Sequence, residues 1–186
     1  LPLRWLVTDA WRLPDPLPAI RRLERGDGVL FRHYELPPAK RLVLAQRVAL
    51  LCRQRGLALL VAGDARLARA VAADGLHLPQ ALIHRAATAH RVGLRLVTAA
   101  AHDAGAVSRA ARYGVDAVLV SPVLATVSHP GAVTLGPLRL AALASRAKRS
   151  GLAVYALGGV TPANFGRLRH IALTGYAAIG GLTVQA

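Results

Sequence analysis

Short apolar runs alternate with longer helical stretches along the whole 186-residue chain. The apolar runs are LRWLVT (3–8), GVLFR (28–32), LALLV (57–61), GLHL (75–78), LRLVTA (94–99), DAVLV (116–120), AVYAL (153–157) and GYAAI (175–179). They are continuous, not alternating, which is the pattern of strands buried on both faces in a parallel sheet. Between them PLPAIRRLER, PAKRLVLAQRVALLCRQRG, DARLARAVAA, HDAGAVSRAARYG, LRLAALASRAKR and TPANFGRLRHI read as helices. In the second of these, Val43, Leu44, Val48 and Leu51 form one apolar stripe, Arg41, Arg47 and Arg55 face away, and Gly56 is the C-terminal stop. Tyr113-Gly114 ends a later helix in the same way, whereas PQALIHRAATAHRV after the fourth strand is weakly patterned.

Eight strands with intervening helices, roughly 20–25 residues apart, are the plan of an α/β (β/α)8 TIM barrel. It is a small one against a typical size of about 250 residues, and its final helix is expected to be short or absent. An open doubly wound sheet is the alternative, but eight similar units favour closure. No linker or low-complexity tract interrupts the pattern, so residues 1–186 read as a single barrel domain.

In such barrels chemistry gathers where strands end, and residues at strand starts serve stability. Asp74 and Asp116 precede strands four and six and are assigned to turns or caps on the inert face. Asp9, Glu35, Asp64 and Asp103 follow strands one, two, three and five and are site candidates, although Asp64 and Asp103 also suit helix N-caps. The same sorting collects Arg32, His33 and Tyr34 after strand two, and His102 after strand five. It adds Ser121, Thr126, Ser128 and His129 in SPVLATVSHPGAVTLGP (121–137), a connection too long to be simple. Gly158-Gly159 and Gly180-Gly181 follow the last two strands, where backbone N–H groups can approach a phosphate closely; two tight turns needing positive φ are the alternative. His84, His90 and His170 are assigned to solvated helix positions, and His77, inside strand four, to the core. No spacing of His, Cys or Asp suggests a zinc site.

Composition narrows the classes. No apolar run approaches the ~20 residues of a membrane span, and LPLRWLVTDAWR lacks a signal-peptide pattern. The single cysteine, Cys52, has no internal partner, which fits a reducing cytoplasmic setting. The net charge of +15 predicts attraction to polyanions or phosphorylated small molecules. The arginines are scattered along helices and aromatic residues are only 4%, which disfavours nucleic acid.

Taken in order, several segments resemble the thiamine-phosphate synthase family and its sister group, the thiazole tautomerases. LRWLVTDA is similar to the family's first strand, and GVLFRHY stands where the synthases have a run ending Arg-Glu-Lys. LLVAGDARLARAVAADGLHLPQ resembles their Asn-Asp segment and fourth strand, and LVTAAAHD their Gly-x-Ser-x-His segment. DAVLVSPVLATVSHPG resembles a Gly-Pro-x-x-x-Thr-x-Thr-Lys loop, YALGGVTPANFGRL the Ile-Gly-Gly-Ile segment, and TGYAAIGGL the last strand.

The resemblance implies a transferase that joins a pyrimidine-methyl pyrophosphate to a thiazole phosphate and releases pyrophosphate, with Mg²⁺ on oxygen ligands. It implies Arg32 as a pyrophosphate-binding and catalytic residue, Asp64 as a metal ligand, Thr126 and Ser128 as anion contacts, and His129, at the loop lysine's position, as a catalytic residue. Gly158, Gly159, Gly180 and Gly181 would hold the thiazole phosphate. The chain departs from that pattern at Tyr34 for a lysine, Gly63 for an asparagine, Leu82 for the second magnesium aspartate, Ala100 for a serine and His129 for a lysine. The tautomerases imply instead a metal-free proton transfer by His102. A non-catalytic phosphate-ligand or nucleic-acid binding protein is the third reading. A homo-oligomer is left open.

Overall fold

The computed structural model describes residues 1–125, 133–179 and 182. The strands are β1 (Arg4–Val7), β2 (Gly28–Phe31), β3 (Ala58–Ala62), β4 (Gly75–Leu78), β5 (Leu96–Ala101), β6 (Ala117–Val120), β7 (Ala153–Leu157) and β8 (Gly175–Ile179). The α-helices are α1 (Leu17–Ile20), α2 (Pro38–Arg55), α3 (Ala65–Ala70), α4 (Ala86–Arg91), α5 (Ala104–Arg112), α6 (Gly136–Arg149) and α7 (Pro162–Phe165). All eight strands run parallel in sequence order, and β8 pairs with β1 to close a barrel, so the open-sheet alternative is excluded. β5 ends at Ala101 and not at residue 99, which carries His102 to the lip of the barrel. Any final helix after β8 falls largely outside the described residues.

Two apolar layers follow from the continuous runs. Outward-facing strand residues such as Leu6, Val29, Val61, Val97 and Val118 pack against the helices. Inward-facing Trp5, Val7, Leu30, Leu60, Leu119 and Tyr155 fill the barrel itself. The Trp5 indole lies over Gly28, where an added Cβ would stand 2.2 Å from the ring. Tyr155 meets Trp5 edge-on with centroids 6.2 Å apart, and its hydroxyl donates to the Pro2 carbonyl at 2.7 Å. This aromatic plug fills the end where the strands start.

The acids at strand starts serve the sheet, as the sorting by barrel end expects. Asp74 accepts from the Leu59 N–H at 2.8 Å and Asp116 from the Val97 N–H at 2.7 Å. Buried Asp27 accepts two hydrogen bonds from the Arg4 guanidinium, from Nε and Nη2, both at 2.8 Å. Asp27 also accepts from the Glu24 N–H, which pulls residues 21–27 into turns and limits α1 to four residues where a helix through residue 25 is expected.

α2 and α5 end as expected, with Gly56 at φ 66° and Gly114 at φ 73°. The face of α2 differs from the expectation in two places. Val43 is 56% exposed, and the buried stripe is Ala45, Val48, Ala49 and Cys52. Arg41, expected to face away, instead reaches over the ends of β2 and β3 and is 11% exposed. The Cys52 thiol is pushed up to about 12 by burial, which leaves it unreactive.

Close packing at strand starts makes a direct prediction. A Cβ on Gly75 would meet the Leu96 carbonyl oxygen at 1.8 Å, whereas one on Gly166 meets nothing within 4 Å. Gly75→Ala is expected to lower unfolding stability by about 3 kcal/mol or to prevent folding, and Gly166→Ala to change it by under about 0.5 kcal/mol. Urea titration followed by circular dichroism measures both.

Candidate active site

The end opposite the aromatic plug holds a cavity of about 460 Å³. Its walls are Val7, Leu30, Leu119, Leu157 and Ile179, and its polar groups are Arg32, Tyr34, His77, His102 and Ser121. An apolar pocket of this size with a few converging polar groups suits a small organic ligand.

Arg32 follows β2 directly and is held from three sides. Its N–H donates to the buried Thr8 hydroxyl at 3.0 Å, and its carbonyl accepts from Arg41 Nε at 3.0 Å. Its guanidinium lies 4.0 Å from Asp9, a carboxylate that also accepts from the N–H groups of Trp11 and Arg12. Asp9 therefore orients the cation. His33, a sequence candidate, is not in the cavity. It is buried, stacked on Phe31 and hydrogen-bonded to Thr8 at 2.9 Å. Burial lowers its pKa, opposed by the nearby carbonyls of Pro14 and Leu13.

Tyr34 stands at the rim between two guanidinium groups, 5.5 Å from Arg32 and 5.1 Å from Arg41. Its ring lies over Gly63, where a Cβ would be 3.0 Å from Tyr34 Cε1. The departures at residues 34 and 63 are thus neighbours in space, and Gly63 also takes a positive φ of 73°. Asp64 caps α3 by accepting from the Leu67 N–H at 2.9 Å, and its other oxygen lies 3.7 Å from Arg41. Asp103 likewise caps α5, accepting from the Ala106 N–H at 2.7 Å, and that hydrogen bond holds its pKa below the usual value. Glu35 is exposed. Leu82 packs against the helix-facing core. Among the described residues no three His, Cys, Asp or Glu side chains gather as a metal site would require.

His102 lines the cavity with Ala100 beside it. Its N–H donates to Gln80 Oε1 at 2.9 Å, and its Nδ1 lies 2.7 Å from the Ser121 carbonyl oxygen. A carbonyl only accepts, so Nδ1 carries the hydrogen and, in the neutral ring, Nε2 holds the free lone pair. Gly158 and Gly159 have φ of 92° and 68°, and Gly158 lines the cavity. A Cβ on Gly159 would strike the Ala125 carbonyl at 2.4 Å, so this pair also lets the β6 and β7 loops touch. Thr126, Ser128, His129, Gly180 and Gly181 lie outside the described residues.

Sequence reasoning missed four contributors. Arg41 carried no signal beyond its place on a helix. Thr8 and Gln80 are neutral side chains that hold Arg32 and His102 through the backbone. His77 is the buried core histidine expected, with Nδ1 2.9 Å from Thr98 Oγ1, but its ring also lines the cavity. His90 is part-exposed on α4 and also partnered: its ring nitrogens lie 3.1 Å from the Leu94 carbonyl and 3.0 Å from that of Gly114.

Comparison with known proteins agrees with this architecture. Residues 15–182 match the family model described as thiamine monophosphate synthase. The chain is 32% identical over 189 aligned positions to a thiamine-phosphate synthase of Bordetella pertussis, covering 95% of this chain and 85% of that one. It is 27% identical over 176 positions to that of Bacillus velezensis, covering 91% and 77%. A solved thiamine phosphate pyrophosphorylase from Pyrococcus furiosus superposes with a TM-score of 0.82 at 19% identity, over 97% of this chain and 86% of that one. The native KDPGal structure shares the fold at a TM-score of 0.66 and 18% identity, over 100% and 85%.

His77 generates a pH prediction. Burial lowers its pKa to about 3 from 6.5. Between those values the unfolded chain takes up a proton that the folded chain refuses, so stability falls as pH drops from about 6.5 toward 3. His33, lowered in the same direction, adds to the slope. Urea midpoints measured from pH 7 to pH 4.5 should decline, and His77→Gln should flatten the decline. An equal slope in the variant would locate the effect elsewhere.

Proposed function

The chain belongs to the thiamine monophosphate synthase family, and on that footing we propose that it is a transferase of thiamine biosynthesis acting at the mouth of the barrel. It joins a pyrimidine-methyl pyrophosphate to a thiazole phosphate. The carbon–oxygen bond to pyrophosphate breaks with its electron pair leaving on the phosphate oxygen, and the thiazole nitrogen forms the new bond to the methylene carbon. The observation that carries this reading is a cation at the edge of an apolar cavity: Arg32, whose backbone is held by Thr8 and Arg41 and whose guanidinium lies 4.0 Å from Asp9.

A guanidinium placed where negative charge develops stabilises the departing group without reorganising first. The apolar walls hold two aromatic rings and keep water from the electrophilic carbon. Backbone N–H groups near Gly158 and Gly159, together with Gly180 and Gly181, receive the thiazole phosphate.

The family's reaction calls for Mg²⁺ on oxygen ligands, and the residues here do not fit that ion. Asp64 is committed to a helix cap on one oxygen and faces Arg41 with the other, and the second carboxylate position is Leu82.

A second reading, isomerisation of the thiazole phosphate, is favoured by one observation. The Ser121 carbonyl leaves His102 Nε2 as a proton acceptor beside the cavity. Histidine there would take a proton from one ring carbon and return it to another.

The two readings separate in one set of assays. With pyrimidine-methyl pyrophosphate and thiazole phosphate supplied, coupled product is expected by liquid chromatography. Arg32→Gln should lower kcat/KM about 100-fold. Absence of product from the unaltered protein would overturn the transferase reading. If isomerisation is the activity, His102→Ala should slow it by about 10²–10⁴-fold.

A further inference from the structure

We propose that Arg41 stands where the family's reaction calls for a divalent cation: its guanidinium is the counter-charge of Asp64, and the substrate's anionic group meets Arg32 with no metal between them. This rests on the transferase reading for the identity of that anion.

Four observations converge on the gap between the ends of β2 and β3. The first is the reach of Arg41 itself. From α2 it donates through Nε to the Arg32 carbonyl at 3.0 Å and through Nη2 to the Ala62 carbonyl at 2.8 Å. Its remaining nitrogen, Nη1, lies 3.7 Å from Asp64 Oδ2. A guanidinium bonded to two backbone carbonyls at the strand ends has its plane fixed, so its charge is as well placed as a bound ion's. The second is Asp64, whose other oxygen is consumed by the Leu67 N–H. Magnesium demands near-ideal octahedral oxygen ligation, usually from one or two carboxylates, waters and substrate phosphates. Here the single carboxylate already has a cation beside it.

The third is Tyr34. Its ring lies over Gly63, 5.1 Å from the Arg41 guanidinium, and puts aromatic carbon beside Asp64 where further oxygen ligands would be required. The fourth is Leu82, which contributes hydrocarbon to the core where a second carboxylate would be required. Each change removes a requirement for metal, and Arg41 supplies the positive charge that their loss would otherwise leave missing. Arg41 does not line the cavity, whereas Arg32 and Tyr34 do. Arg41 is therefore a positioning residue, and Arg32 is the group that touches the anion.

The test separates this proposal from the transferase reading, because its readouts need no turnover. Mn²⁺, as a probe for oxygen-ligand sites, is titrated into the protein and the free ion is followed by electron paramagnetic resonance. No depletion of free Mn²⁺ at equimolar protein is expected. Stoichiometric binding that Asp64→Asn abolishes would overturn the proposal. In parallel, inorganic pyrophosphate is titrated calorimetrically in EDTA. Binding is expected there, weakened about tenfold by Arg41→Gln and largely retained by Arg41→Lys, which keeps the charge. Pyrophosphate binding seen only with Mg²⁺, or absent under both conditions, would overturn it. Equal loss in the two Arg41 variants would reduce the residue to a structural clamp and overturn it as well. Metal-free binding without coupled product would remove the transferase reading and leave the inference standing.

Discussion

The packing of the Trp5 indole over Gly28 is the contact on which the barrel depends. Eight parallel strands closed on themselves enclose a volume that must be filled with side chains. At the strand-start end that volume is taken by two rings, Trp5 and Tyr155, and residue 28 gives up its side chain to make room. The filling is uneven along the barrel axis. Large residues close one end, while valine, leucine, isoleucine and alanine leave about 460 Å³ open at the other. Since every strand points the same way, the residues following the strands all arrive at the open end. The site is a consequence of where the aromatic bulk was spent.

Around that opening the charged groups form a connected set. Asp9 turns Arg32, Thr8 holds its backbone, and Arg41 ties the ends of β2 and β3 while facing Asp64. The cationic side of the mouth is thus built from fixed arginines, and the histidine side from His102 on the Ser121 carbonyl. Both face an apolar interior, where a charge–charge interaction is stronger than in water. The buried imidazole of His77 stays neutral at physiological pH because the same interior resists charging it. One cavity therefore offers a permanent cation, an imidazole whose Nε2 is left free by the Ser121 carbonyl, and walls that suit aromatic rings.

Much of this was legible in advance. The strand order and closure follow from repeated apolar runs, because a strand buried on both faces has no choice but to be apolar throughout. Asp74 and Asp116 could be placed on the inert face, and Asp64 and Asp103 at helix starts, because a cap is a local hydrogen bond within three residues. The misses share a cause. Arg41 was assigned to solvent because helical periodicity sees only polar against apolar, and Arg41 is polar on a face that meets carbonyl groups. The partners of part-exposed His90 escape the sequence for the same reason, since they are backbone oxygens ahead of β5 and β6.

Local order, in short, was written along the chain: which segments are strands, where helices stop, and which end of each strand carries chemistry. These depend on residues within a few positions of one another. The contact of Tyr34 with Gly63, the grip of Arg41 on Ala62 and the tautomer of His102 depend on which strands lie side by side, β2 with β3 and β5 with β6. Those partners lie 29, 21 and 19 positions apart in the chain, and no periodicity spans such distances. Only the parallel pairing of those strands in register brings the groups that follow them within bonding range.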